Sequence, residues 1–168
     1  MEFRPLKENE IECRVAQVYE GKGLTLLLYK NARTDSTILD EIVGAENWQN
    51  KFYECKGNLF CSVGIRLGDE WIWKDDCGSE SNMEREKGEA SDAFKRACFK
   101  WGIGKELYTA PMIYIKADQV KKWYKNNNGK SATYDKFRVK YIKTENGKIV
   151  QLAIYNETLK DDVFKWGF

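Results

Sequence analysis

The chain has 168 residues, is 42% hydrophobic and 32% charged, carries a net charge of +2, and contains five cysteines and no histidine. Without histidine, Ser-His-Asp and Cys-His nucleophile systems, histidine metal triads and a histidine general base are all excluded. An odd set of cysteines with no CxxC pair excludes the usual zinc frameworks, no run approaches the ~18 apolar residues of a membrane span, and no charged-then-apolar leader opens the chain, so a single cytoplasmic domain over 1–168, with reduced thiols and no membrane partner, is expected.

In chain order, Glu10–Tyr19 and Leu24–Tyr29 read as strands of an N-terminal hairpin about Gly21-Lys22-Gly23. Thr34–Val43 carries a helical pattern, with Asp35 or Thr34 as N-cap and Gly44 as the stop. Trp48–Glu54, Leu59–Leu67 and Glu70–Lys74, separated by Lys56-Gly57-Asn58 and Gly68-Asp69, predict a three-stranded antiparallel meander. Trp71 and Trp73 are two apart, so they share a side of their strand, and they read as core. Asp75–Asn82 is polar and reads as a loop, and Ser81 with Glu84 forms a capping box for a long helix.

That helix is the most informative stretch, GEASDAFKRACFKWGIGKEL. Ala90, Ala93, Phe94, Ala97, Cys98 and Trp101 make one apolar face. Lys95 falls on one flank of it, and Arg96 and Lys100 on the other, with Phe99 pointing nearly opposite the core. Gly102 and Gly104 supply the stop, and Gly88, costly inside a helix, marks a close approach of another backbone. Beyond it, Met112–Ile115 reads as a strand, Ala117–Lys125 as a short helix, and Asn126–Lys130 as a loop. Phe137–Lys143 and Lys148–Tyr155 read as strands joined through Asn146-Gly147, the strongest hairpin signal in the chain. The class is α+β: a curved antiparallel sheet, meander plus hairpin, packed on a long helix.

Charge and aromatics are unevenly spread. Residues 116 to 148 hold ten Lys/Arg against three Asp/Glu, leaving the rest slightly acidic; such a block suits either a polyanion surface or a solvated hairpin face. Aromatics reach 14%, enough to fill a core and leave stacking platforms for unpaired bases.

LDEIVGAENWQ, GIRLGDEWIWKDDCG and GEASDAFKRACFKWGIGKELY together resemble the phage-encoded, Rad-fifty-two-like single-strand annealing proteins of the Sak type. The resemblance covers roughly residues 24–111, which correspond to that family's DNA-binding core, and leaves 112–168 as a basic extension of unrecognised type. It implies a homo-oligomer, ring or filament, that holds single-stranded DNA in a cationic groove and anneals complementary strands in recombination or repair. It implies no ATP, no covalent chemistry and no cofactor, and the host bacterial cytoplasm as location. Carried over residue by residue, the family's cationic pair falls on Lys95 and Arg96, a further basic position on Lys100, and one before the first helix on Arg33. Trp48 and Gly44 read as structural.

Annealing needs phosphates gripped and base edges free, which suits Lys95, Arg96, Lys100 and Arg33 as counterion-displacing contacts. Phe99 is the candidate wedge between bases, or else lies buried between subunits. A single-strand binding protein or an exonuclease is a candidate partner. The C-terminal DDVFKWGF reads as a packed edge in preference to a docking tail. Two alternatives stand beside this reading. Asp69, Glu70, Asp75, Asp76 and Glu80 with Lys74 nearby suggest a magnesium-dependent nuclease. A passive single-strand coating protein would bind strands and slow their pairing.

Overall fold

The computed structural model describes residues 1–79 and 85–168, with side chains from Gly88 onward in the second stretch. The strands are β1 (Glu12–Tyr19), β2 (Gly23–Tyr29), β3 (Trp48–Cys55), β4 (Asn58–Leu67), β5 (Glu70–Cys77), β6 (Ile113–Lys116), β7 (Trp123–Lys125), β8 (Ser131–Thr133), β9 (Phe137–Glu145), β10 (Lys148–Asn156) and β11 (Asp161–Trp166). Two α-helices interrupt them: α1 (Ala32–Val43) between β2 and β3, and α2 (Arg85–Trp101) between β5 and β6. The class is α+β, and the chain divides into two compact units, one of residues 1–4 and 30–104 and one of residues 5–29 and 105–168. Among the described residues no helix is long and apolar enough to cross a membrane.

In the first unit, β3, β4 and β5 form the expected meander, paired in that order and antiparallel. Alternation along β4 sends Cys61, Val63 and Ile65, all fully buried, toward α2, which answers with Ala93, Phe94, Ala97 and Cys98. The Trp101 indole N–H donates to the Val63 carbonyl at 2.9 Å and pins the end of the helix to the central strand. Gly102 and Gly104, at φ +106° and +74°, close it as expected.

Helix α1 begins earlier than the sequence suggested. Its cap is Asn31, whose side chain accepts the Thr34 N–H at 3.0 Å, while Thr34 and Asp35 lie buried inside the helix. Gly44 ends it as expected. Strand β5 continues to Cys77, so Asp75 and Asp76 are strand residues, not loop residues. The Ser81–Glu84 capping box lies outside the described residues.

A close backbone approach to α2 does exist, and it is made by Gly78. A Cβ there would sit 2.3 Å from the Glu89 carbonyl oxygen and 3.0 Å from the Ala93 nitrogen. Backbone atoms cannot swing aside, so Gly78→Ala should force strand and helix apart and cost about 1–3 kcal/mol, as overpacking does. A lower urea midpoint at unchanged slope is the expected result; an unchanged midpoint would contradict the packing described.

The second unit is built on a six-stranded antiparallel sheet in the order β11-β10-β9-β1-β2-β6, with its two edge strands in contact, so the sheet curls back on itself. The N-terminal hairpin belongs to this sheet and is not an extension of the meander. Leu24, Leu26, Ile113, Ile115, Val139, Leu152 and Ile154 fill its interior. The Asn146-Gly147 turn takes positive φ at both residues, the geometry a two-residue hairpin turn demands.

The short helix expected at Ala117–Lys125 is not formed. A 3-10 turn over Ala117–Gln119 leads instead into β7, which pairs with β8. The reason is a competing acceptor: the buried Asp135 carboxylate takes the N–H groups of Lys121 and Lys122 at 2.7 and 2.8 Å, so neither can bond the preceding turn. Asp135 also accepts from the fully buried Asn156 amide at 2.6 Å. The C-terminal segment Asp161–Trp166 pairs along β10 as β11, a packed edge as expected.

Candidate nucleic-acid interface

All five candidate residues lie in the first unit, on α1 and α2. Ala97, Cys98 and Trp101 turn one stripe of α2 toward the sheet, which leaves Lys95 and Arg96, a 100° step apart, on opposite flanks. Arg96 and Lys100 stand one turn apart on the flank beside β5, and the side chain of each is 49% exposed. Between them lies Asp76 of β5, 3.9 Å from the Arg96 guanidinium and 3.7 Å from the Lys100 ammonium. These are long, solvated ion pairs of small strength. They leave Arg96 with donor capacity to spare.

Lys100 is held more firmly. Its ammonium donates to the Asp75 carbonyl at 2.5 Å. In return Lys74 donates to the Lys100 carbonyl at 3.1 Å and lies 4.5 Å from the centre of the Trp101 ring. Lys74 thereby joins the end of α2 as a third cation on this side, one that sequence reasoning had placed only in the metal alternative. The signal was available: once β5 runs to Cys77, Lys74 and Asp76 share the parity of Ile72, which faces α2 through its pairing with Ile65.

On the opposite flank, Lys95 is half-buried and its charge acts on Asp35 of α1. Asp35 is fully buried and pairs with Lys30 at 2.5 Å, itself only 7% exposed. One carboxylate oxygen, Oδ2, has no hydrogen-bond partner. Burial raises the Asp35 carboxyl from the ordinary 3.8 to about 6, against the opposing charges of Lys30 and Lys95. Arg33, two residues earlier, is exposed on the first turn of α1. The pairing of Lys30 with Asp35 was not foreseen; nothing in the local pattern distinguishes Lys30 from a solvated turn residue.

Phe99 is half-buried. Of the acidic residues behind the metal alternative, two are set apart by the meander. Asp75 and Asp76 are consecutive strand residues and point to opposite faces of the meander: Asp76 toward α2, Asp75 toward the Ser62 hydroxyl, which donates to it, and the Tyr53 hydroxyl, which donates at 2.7 Å. Burial pushes the Asp75 carboxyl up, but those two hydrogen bonds with the charges of Lys51 and Lys100 outweigh it and hold it below the ordinary range. Among the described residues no group of three or more Asp, Glu or Cys is gathered as a metal site would need; Glu80 lies outside them.

No family model, curated protein or solved structure matches this chain. What the α2–β5 side offers is a short row of partly exposed cations on a helix packed against a strand. Such a row can grip a polyanion without enclosing it.

Proposed function

We propose that this chain binds single-stranded DNA along the Arg96–Lys100 flank of α2 and anneals complementary strands without ATP, in phage-type recombination or repair. The observation that carries the reading is the one-turn spacing of two half-exposed cations beside a single weakly engaged carboxylate. A backbone phosphate competes well for such groups because its binding releases condensed counterions, whereas the existing pairs are long and solvated. Arg96 takes a phosphate in two places; Lys100 and Lys74 act as point charges. Lys95 and Arg33 belong to the same proposal as outlying contacts on the α1 side of the helix.

One protomer with a few phosphate contacts binds weakly at physiological salt. A homo-oligomer that lines up many copies makes the later contacts effectively intramolecular, so a ring or filament is part of the proposal. The test is annealing of two complementary fluorescent oligonucleotides, without ATP, across a salt series, with size read by light scattering. Salt-sensitive acceleration by a large species is expected. Binding that slows pairing would replace annealing with passive coating, and magnesium-dependent loss of the labelled strand would replace it with cleavage.

A further inference from the structure

The meander has a second face, turned away from α2, and its residues follow from the register. Across the three strands it reads Gln49–Gly64–Trp73, then Lys51–Ser62–Asp75, then Tyr53–Phe60–Cys77, with Arg66 opposite Trp71 at one end. Trp71 and Trp73 are therefore not part of the core between sheet and helices. Trp71 is 36% exposed, Tyr53 39%, and among the described residues both helices of this unit pack on the other side of the sheet.

The face is built around a glycine. A Cβ on Gly64 would lie 2.8–2.9 Å from three atoms of the Trp73 indole, so only a glycine lets that ring lie flat on the central strand. Glycine in the middle of a strand is unfavourable, and it marks a site where something approaches the backbone closely. Here it seats an aromatic surface. Trp71 continues that surface, its ring centre 6.2 Å from that of Trp73 and tilted by 30°. At the other end Tyr53 stacks on Phe60 at 5.5 Å.

Cations border the rings. The Lys51 ammonium lies 4.2 Å from the centre of the Trp73 ring, and Arg66 is paired across the strands with Trp71. The carboxylate on this face, Asp75, is drawn inward by the hydroxyls of Ser62 and Tyr53. Asp69, 3.9 Å from Arg66, is fully exposed and screens it little. Flat aromatic rings flanked by cations, with the local carboxylate occupied, match a ligand that has π-faces and a negative backbone. We propose that the Trp71–Trp73 face of the meander is a stacking site for the unpaired bases of a single nucleic-acid strand.

Stacking of a base on an indole is stronger than an exposed cation–π contact, so a base displaces Lys51 from the Trp73 ring and leaves its ammonium for the adjoining phosphate. The site lies on the opposite side of the sheet from the Arg96–Lys100 flank. It rests on the reading that the chain binds single strands, but it uses different residues and a different force.

The test is binding of a fluorescent oligothymidylate, with inorganic polyphosphate as an anion that has no bases. Trp71→Ala, at an exposed position, should lower oligothymidylate affinity at least about 5-fold with polyphosphate affinity and the salt slope unchanged. Gly64→Ala, which lifts the Trp73 ring without removing it, should act in the same direction. Arg96→Ala/Lys100→Ala should instead weaken both ligands and flatten the salt slope. Wild-type oligothymidylate affinity in a folded Trp71→Ala protein overturns the stacking site, whatever the α2 variant does. A Trp71→Ala protein that loses affinity while the α2 variant keeps it supports the stacking site and removes the α2 reading. Conversion of a large species to a smaller one by Trp71→Ala, read by sedimentation, makes this face a contact between copies and overturns the proposal.

Discussion

Replacing Arg96 and Lys100 together by alanine should weaken single-strand binding by roughly 10- to 30-fold per protomer at 0.1 M salt, and flatten the salt dependence by about 1.4 in log–log slope. The argument is counterion release: each phosphate contact on a single strand contributes about 0.7 to that slope, and two are removed. The magnitude assumes that both cations exchange Asp76 for phosphate, which their 3.7–3.9 Å separations favour. The same geometry makes an opposite prediction for the carboxylate. Asp76→Asn removes the local competitor and a repulsive charge, so binding should tighten and the slope should steepen. Titration of a labelled strand at four or five salt concentrations reads both variants. Unchanged affinity and slope in the double alanine variant would leave the flank as an ordinary solvated helix face.

The second large effect concerns stability. Asp35→Ala should cost about 3–5 kcal/mol, because it leaves the Lys30 ammonium buried without its counter-charge. For a chain of this size that lowers the melting temperature by about 10 °C. Lys30→Met/Asp35→Leu, which removes both charges and keeps similar volume, should be near neutral or stabilising. The pair already carries an unsatisfied oxygen at Asp35 Oδ2, so its desolvation is incompletely offset.

The pH dependence follows from the raised carboxyl. Asp35 holds its proton more tightly folded, at about 6, than in the ordinary state, at 3.8. The folded state therefore binds more protons between those values. The contribution of this group is fully present below pH 3.8 and is lost as pH rises through 6. An acid titration of stability should show this component vanish in Asp35→Asn. A wild-type profile that does not change on that substitution would mean that another group governs the region.

Much of the first unit was legible in the sequence because its signals are local. The Lys56-Gly57 and Gly68-Asp69 turns lie between strands that pair with their immediate neighbours, and the 3.6-residue stripe of α2 selects its own buried face. Strand parity placed Trp71 and Trp73 together but could not say on which side. Ile72 between them is also apolar, and only its pairing with Ile65 under α2 decides the matter. The end of β5 was misread because Asp75 and Asp76 look like a turn; each is stabilised by partners distant in sequence, Ser62 and Tyr53 for one, Arg96 and Lys100 for the other. The Ala117–Lys125 helix failed for the same kind of reason, since Asp135 supplies the acceptor that decides the backbone. At the candidate site, the flank of Arg96 and Lys100 followed from helical geometry alone. The half-burial of Phe99 did not.

The division of the chain has a consequence for how it is made. The second unit's sheet places β2 beside β6, pairing Leu26 with Ile113, while residues 30–104 between them form the first unit. A ribosome delivers β1 and β2 first, then the whole of that intervening segment, and only later the strand that β2 must pair with. Until then the Gly23–Leu26 edge of β2 is open. Early folding of the intervening segment shortens the span that the two strands must bridge and lowers the entropy of closing it.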